Sequence, residues 1–195
     1  MLFDDAIKNR RSVYDLNSQI PVFPDKVMDV IRNSVEYVPD AFNMHSQRVA
    51  VIIGGKHKEF WNMVYNELVR VSGGRFSREK IDSFARGYGT ILYFYDKSVV
   101  ESTKKKYPTY VHNFHDWVMQ SNGMLQFTIW TGLRTLGIGA NLQHYSPVID
   151  NMTREMFDLS EDWVMVAQMP FGGIVTDAGP RKVENTDGRI IIFND

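Results

Sequence analysis

The sequence predicts a mixed α/β or α+β fold with a sheet of about four or five strands. Three runs rich in β-branched and aromatic residues, at 48–54, 90–95 and 163–169, have the length and composition of strands. Segments whose apolar residues recur at helical spacing separate these runs. A chain of 195 residues, 44% of them hydrophobic, is long enough to bury a sizeable core. We therefore expect a single domain over residues 1–195.

The segments between the strands predict helices. A short apolar stripe at 2–7 indicates the first helix. Pro24 opens the second helix and Pro39 ends it, which leaves a loop over 38–47. Gly137 to Ala140 is expected to lead into a second loop. Further helices are expected at 60–71, at 77–86, at 97–106, from Ser146, and from Thr153 to Asp158.

The segment 113–136 predicts an unusually long helix. Asn113 is a plausible N-cap and Gly137 a plausible stop, and only Asp116 and Arg134 are charged between them. Because apolar residues lie nearly all round, the helix should be buried. A chain this short rarely surrounds such a helix completely, so we expect it at the subunit interface of a homodimer.

A last β-branched run, RIIIF at 189–193, follows a loop-like stretch after the third predicted strand. Such a run is expected to form a strand. It pairs either locally or with the sheet of a partner subunit. The sequence favours neither local pairing nor pairing with a partner.

Composition excludes several functional classes. The formal net charge is −1, from 22 basic and 23 acidic residues, so neither nucleic acid nor an anionic membrane is an expected partner. The short basic run 104–106 is expected to be the solvated end of a helix. The absence of cysteine excludes disulfides and thiolate chemistry. The first residues lack the pattern of a signal peptide, and no run reaches the ~18 apolar residues of a membrane span, so we expect a cytoplasmic protein.

Standard catalytic motifs are absent. The chain has no G-x-S-x-G, Walker, HExxH or GxGxxG pattern. The turn at 54–57 is either a tight strand-to-helix connection or a phosphate site. His112, His115 and Asp116 are explained either by capping and surface polarity or by a metal at the start of a helix.

Two polar clusters lie in the first quarter of the chain. Arg10, Arg11 and Ser12 follow the first helix, and arginine forks match phosphate oxygens. The alternative is positive charge that stabilises a helix C-terminus. Residues 43–48 place amide, imidazole and hydroxyl groups together, which either read the edge of a heterocycle or cap an ordinary turn.

Two further clusters follow the long helix. The segment 139–145 contains small residues that let backbone amides approach a planar ligand closely. Arg181 and Lys182 are suited to an anion.

These clusters, in this order, resemble the nitroreductase family of FMN enzymes, and in particular its short branch of fatty-acid-repression-mutant-like nitroreductases. The resemblance is carried by RRSVYDL at 10–16, FNMHSQRV at 42–49, GIGANLQHY at 137–145 and VMVAQMPFGG at 164–173. With the long helix it covers essentially the whole chain. It implies an α+β, nitroreductase-like three-layer fold whose mainly antiparallel four- to five-stranded sheet is flanked by helices. It also implies a homodimer, with the long helix at the interface and two FMN sites there.

The same resemblance implies roles for individual residues. Arg10, Arg11 and Ser12 match the segment that holds the phosphate and ribityl end of FMN. Asn43 matches a position near the flavin, and His45 falls where many members carry glutamine. Gln143 and His144 fall in the loop over the central ring, where a backbone N–H typically faces flavin N5. Arg181 or Lys182 completes the phosphate contact.

The implied function is oxidoreduction with NADH or NADPH as reductant and a nitroaromatic or quinone-like acceptor. No side chain acts as a nucleophile, because flavin N5 carries the hydride in a ping-pong sequence. The alternative is a flavin-binding regulator of stress or lipid responses, or a binding module with little turnover. His45 departs from the family pattern, and this departure is compatible with the alternative.

Overall fold

An antiparallel sheet of five strands runs through the centre of the fold. The computed structural model describes residues 3–194, so Met1 and Leu2 of the first predicted apolar stripe lie outside it. The strands are β1 (Asp15–Asn17), β2 (Gln47–Ile53), β3 (Gly89–Asp96), β4 (Ile138–Ala140) and β5 (Trp163–Thr176). Their order is β1-β5-β3-β2, and β4 pairs with β5 as well. Strand β2 therefore has hydrogen-bonded neighbours on one side only.

Seven α-helices surround the sheet in the described part of the chain. They are α1 (Phe3–Asn9), α2 (Pro24–Tyr37), α3 (Gly54–Val71), α4 (Arg78–Ala85), α5 (Lys97–Lys106), α6 (Phe114–Thr135) and α7 (Asp150–Phe157). Two short 3-10 helices lie at Ala41–Asn43 and Pro108–Tyr110. The fold is therefore α+β, as predicted.

The alternation of side chains along β3 makes three layers. Ile91 and Tyr93 belong to the core between the sheet and helices α2 and α6. Leu92 and Phe94 belong to a second core, against α3 and α4. Successive side chains of a strand point to opposite faces, so a strand buried on both faces is apolar without interruption.

Helix α6 confirms the long helix expected over 113–136, with a difference of one residue at each end. Leu125, Ile129 and Leu133 face the core. Met119, Met124 and Phe127 keep 39–42% of their surface exposed. In one chain, α6 therefore presents an apolar face to solvent.

Two elements differ from the sequence expectation after α6. Gly137–Ala140 does not lead directly into a loop, because Ile138–Ala140 forms β4 against Phe171, Gly172 and Gly173. Ser146 does not begin a helix. Residues 146–149 form a turn, and one helix, α7, follows from Asp150.

Strand β5 is longer than the expected 163–169 and continues to Thr176. Its second half pairs with β1 and β4, which the sequence did not predict. Gly173 explains the close packing there, since a Cβ on it would lie 1.8 Å from the Gln19 carbonyl oxygen. Strands β1 and β4 are too short to show a periodicity of their own, and they form because they pair with β5.

The chain beyond β5, residues 177–194, is called the tail here. It does not pair with the sheet of its own chain. The tail has only an isolated bridge between Asp187 and Ile190. Its apolar run is exposed, with Ile191 at 74% and Phe193 at 92%. The local pairing considered for 189–193 is therefore not found.

Candidate functional site

Arg10 lies at the end of α1 in an electropositive corner. Its guanidinium carbon lies 4.4 Å from the ring centroid of Trp130, on α6. Burial lowers the pKa of Arg10, and the nearby charges of Arg181 and Arg11 lower it further. The Arg10 Nε atom is buried and has no hydrogen-bond partner in the described chain. Three guanidinium groups therefore lie close together around a donor that lacks an acceptor.

The start of the tail is attached to this corner by two contacts. Arg11 Nη1 donates to the carbonyl of Gly179 at 2.7 Å. Arg134 forms a 2.7 Å ion pair with Asp177, and that hydrogen bond holds the pKa of Asp177 below its ordinary value. These contacts hold Arg181, rather than Lys182, near enough to Arg10 to affect its pKa.

The segment after Arg11 is joined to the loop 139–145. Ser12 is bridged to Ala140 in parallel, and the Val13 N–H donates to the Ala140 carbonyl at 3.0 Å. Asn141, which is fully buried, donates from Nδ2 to the Val13 carbonyl at 2.9 Å. The first and third predicted clusters thus form one continuous surface.

Within this loop, Gln143 and His144 have different environments. Gln143 exchanges backbone hydrogen bonds of 2.7 and 2.9 Å with Gln168, and its side chain donates inward to Asn141. The Tyr145 N–H donates to the Gln168 side chain at 3.0 Å. Among residues 3–194, no protein acceptor is found for the N–H of His144, whose side chain is exposed. The N–H of His144 is therefore a backbone donor available to a ligand.

Asn43 and His45 lie elsewhere, at the N-terminal end of α6. Both have positive φ, 51° and 53°, as does Phe42 at 53°. The carboxylate of Asp40 closes this loop by accepting from the N–H and the hydroxyl of Ser46, both at 2.7 Å. Positive φ is uncommon outside glycine and clusters at functional sites, where the surrounding structure over-determines it.

Helix α6 separates the two halves of the predicted site. Arg10 contacts Trp130 near one end, while Phe42 contacts Trp117 near the other. These tryptophans are 13 residues apart, about 20 Å along a helix that rises 1.5 Å per residue. One chain therefore brings Arg10, Arg11, Ser12 and Arg181 together and joins them to the loop that contains Gln143 and His144. It does not bring Asn43 and His45 to them.

Sequence reasoning missed an aromatic group around Phe42. The Phe42 ring is stacked on Tyr107 at 4.2 Å between centroids and lies 5.6 Å from Phe114 and 5.7 Å from Trp117. The aromatic spacing at 107, 110, 114 and 117 was a signal for it. The partner, Phe42, is remote in sequence and could not be foreseen.

A buried amide network was missed as well. Gln47 belongs to the cluster 43–48, for which the sequence allows either a ligand-reading or a turn-capping role. Its side chain contacts α6, donating to the Val118 carbonyl and accepting from Asn122. Asn122 in turn accepts from Gln126. These amides position the loop against α6.

Three further observations concern residues 54–57, metal ligands and membrane-spanning helices. Residues 54–57 are the first turn of α3, which follows β2 directly, and there Gly54 has a φ of 61° and His57 is buried. No group of three or more His, Cys, Asp or Glu side chains placed to hold a metal occurs in the part of the chain that the structure describes. Within residues 3–194, no helix is long and apolar enough to cross a membrane.

The fold and the site define a three-layer α+β protein with an arginine-lined ligand corner. The model of the nitroreductase family matches residues 7–173, so the chain belongs to that family of oxidoreductases. It is 29% identical to nitroreductase FRM2 of Saccharomyces cerevisiae over 86% of both chains, and 26% identical to the putative nitroreductase HBN1 of the same yeast over 95% of this chain and 93% of the other. The solved structure of nitroreductase CinD from Lactococcus lactis in complex with nicotinic acid is 33% identical, with a TM-score of 0.94 over 99% of this chain and all of the other. The resemblance seen in the sequence is confirmed.

Proposed function

We propose that this protein binds FMN and uses NADH or NADPH to reduce nitroaromatic or quinone-like acceptors. The observation that carries the proposal is the arginine corner of Arg10, Arg11 and Arg181. Burial lowers the pKa of Arg10, and repulsion from the like charges of Arg181 and Arg11 lowers it further. An anion between them removes this repulsion.

The corner fits the phosphate of FMN. The orphaned Nε of Arg10 supplies a donor, and a guanidinium fork matches phosphate oxygens. The exposed Ser12 lies beside Ala140, at the start of the loop that ends at His144. An FMN molecule whose phosphate binds these arginines would thus extend along this loop, with its planar ring at the far end.

We further propose that the complete site needs two chains. A twofold axis near the middle of α6 would bring Trp117 of one subunit towards Trp130 of its partner, since these residues lie symmetrically about positions 123 and 124. Asn43 would then approach the arginine corner of the partner. The exposed Met119, Met124 and Phe127 supply the apolar contact for such a dimer.

The tail fits the outer edge of β2 in the partner subunit. This edge has unpaired backbone groups, and an apolar groove of about 460 Å³ lies along it, lined by Met28, Val35 and Val49 among others. An exposed strand edge favours the addition of another strand. We therefore propose that residues 189–193 add as a strand to the β2 edge of the partner. This pairing would cover the apolar run of the tail and the apolar groove beside β2.

When bound, FMN supplies hydride transfer between nicotinamide and acceptor, which predicts a ping-pong sequence. Arg10 and Arg181 would hold its phosphate. The N–H of His144 would donate to the flavin ring, and no carboxylate need act as an acid or base. A fixed N–H donor stabilises charge where it develops without reorganising during the reaction.

The relatives support aromatic ligands. CinD has been solved with nicotinic acid, with chloramphenicol and with 4-nitrophenol. In this chain, Phe42 and Trp117 line an apolar cavity of about 430 Å³ beside Asn43. Aromatic rings of this kind are suited to stacking with a planar acceptor.

The test is FMN binding to the purified protein. We expect a yellow protein whose flavin absorbance is bleached by NADH or NADPH without air. Arg10→Ala should weaken FMN binding at least about tenfold, the loss of one charge-assisted hydrogen bond. Arg75→Ala, which removes an exposed arginine from a loop remote in sequence from the site, is the control and should not change the affinity.

A colourless protein that takes up no FMN would refute the proposed function. Equal affinity of the Arg10→Ala variant and the native protein would leave the cofactor in place but refute the phosphate assignment.

A further inference from the structure

The ring of Phe42 is held in a fixed position. Its backbone has a φ of 53°, and the Asp40–Ser46 contacts on either side close the loop. Tyr107 stacks on the ring at 4.2 Å, and Phe114 and Trp117 lie within 6 Å of it. Despite these neighbours, 42% of the Phe42 surface remains exposed. The ring is therefore a rigid wall with an open side.

Phe42 is the common wall of two cavities with different chemistry. The cavity towards α6 has a volume of about 430 Å³ and is mainly apolar, with Pro39, Trp117 and Met124 in its lining. The cavity towards α5 has a volume of about 390 Å³ and is mainly polar. Its polar lining comes from Asn43, Ser98, Ser102, Thr103 and Lys106.

The three lysines of the basic run differ in their surroundings. Lys104 is paired with Glu101 at 2.7 Å. Lys105 is exposed and does not line the polar cavity. Lys106 lines it, and within residues 3–194 no carboxylate lies within ion-pair distance of its ammonium group.

The polar cavity is therefore suited to an anion. None of its lining residues carries a carboxylate. A lysine ammonium has three donors and no acceptor, and the side chains of Ser102 and Asn43 add further donors. The hydroxyls of Ser98 and Thr103 already donate to the Asp96 carboxylate and the Val99 carbonyl. A small anion entering this cavity would meet the ammonium of Lys106, the hydroxyl of Ser102 and the amide of Asn43 as donors.

We propose that the polar cavity is a subsite for an acidic substituent on the aromatic acceptor, with Lys106 as its specificity-determining residue. The ring of the acceptor lies against Phe42, and its carboxylate or comparable anionic group points towards Lys106. This inference rests on the proposed function, because it concerns the acceptor side of the same site.

The test compares 4-nitrobenzoate with 4-nitrobenzamide, which differ in charge but hardly in shape. For each compound, both the dissociation constant, by calorimetry on the purified protein, and KM are measured. The native protein should prefer the benzoate. Lys106→Met should reduce that preference about threefold, the magnitude of one partly exposed charge pair, with no change for the amide. Added salt should have the same effect as the substitution.

Lys105→Met is the matched control, since it removes the same charge from the next position of the same helix. It should keep the preference for the benzoate. Equal effects of the two substitutions would mean a general surface potential and would overturn the subsite. A native protein without preference would overturn it too. If the protein binds no FMN and reduces neither compound, the proposed function fails, and the ratio of dissociation constants alone decides the subsite.

Discussion

The imidazole of His57 illustrates how burial determines the chemistry of a single residue. It is 1% exposed, and its Nδ1 lies 3.0 Å from the hydroxyl oxygen of Thr90. That oxygen also accepts from Trp61 Nε1 at 2.8 Å. Burial lowers the pKa of His57 to about 4, and the carbonyls of Phe84 and Ala85 oppose this only in part. The residue is therefore neutral in the folded protein at neutral pH.

We predict that His57 makes folding sensitive to acid. The folded pKa is about 4 and lies below the ordinary value of 6.5, so the stabilisation is complete above pH 6.5 and is lost as the pH falls towards 4. The loss should reach about 3 kcal/mol of unfolding free energy. Urea unfolding of the native protein and of His57→Gln between pH 7.5 and 4.5 measures this, and the variant should show a shallower pH dependence.

His115→Gln is the control, because His115 is exposed on α6. It should keep the pH dependence of the native protein. Parallel curves for the native protein and His57→Gln would contradict the prediction.

The helices and strands differ in how far the sequence foretold them. The expected helix over 97–106 is found at those residues, and the β-branched runs became β2, β3 and β5. Their periodicity lies within the element itself. Strands β1 and β4 are three residues each and depend on β5, so no local pattern could predict them.

In the candidate site, too, the sequence predicts the local patterns but not the contacts between distant segments. The arginine cluster and the loop 139–145 were recognised as local patterns with suitable chemistry. The contact of Asn141 with Val13 spans 128 positions, and that of Arg11 with Gly179 spans 168. Such contacts follow from the tertiary fold and leave no signal in either segment.

Helix α6 carries a prediction about assembly. Phe127→Lys places a charge on the exposed apolar face, where desolvating it in an interface would be costly. Sedimentation velocity should show a shift from dimer to monomer, with helical circular dichroism unchanged and FMN affinity reduced. Val71→Lys, at an exposed apolar position on α3, should leave the dimer intact. A dimeric Phe127→Lys variant would exclude α6 as the interface.

At the scale of the whole molecule, the tail carries residues for two separate purposes. Arg181 belongs to the arginine corner, while the apolar run 189–193 has no place in its own chain. Only a few residues separate them. Its exposed apolar side chains are consecutive along the chain, as expected for the proposed contact with another chain.

We predict that Ile191→Pro or Ile192→Pro releases the tail. Proline lacks the backbone N–H, and successive N–H groups of a strand point to opposite edges, so either Ile191→Pro or Ile192→Pro removes one that faces β2. Hydrogen exchange should show Gln47–Ile53 protected in the native dimer and exchanging faster in that variant. Glu184→Pro, in the tail before the apolar run, is the control and should leave that protection unchanged. Unchanged exchange in both Ile191→Pro and Ile192→Pro would mean that the tail does not cover β2.

In a dimer built this way, one short segment links two equilibria by mass action. The chain's own contacts hold Arg181 near Arg10, and a tail seated on the partner would restrain Arg181 further. Association would then strengthen flavin retention, and bound flavin would strengthen association by the same factor. Dilution would then release cofactor without any change in the chain. The amount of flavin that the protein carries becomes a function of its own concentration.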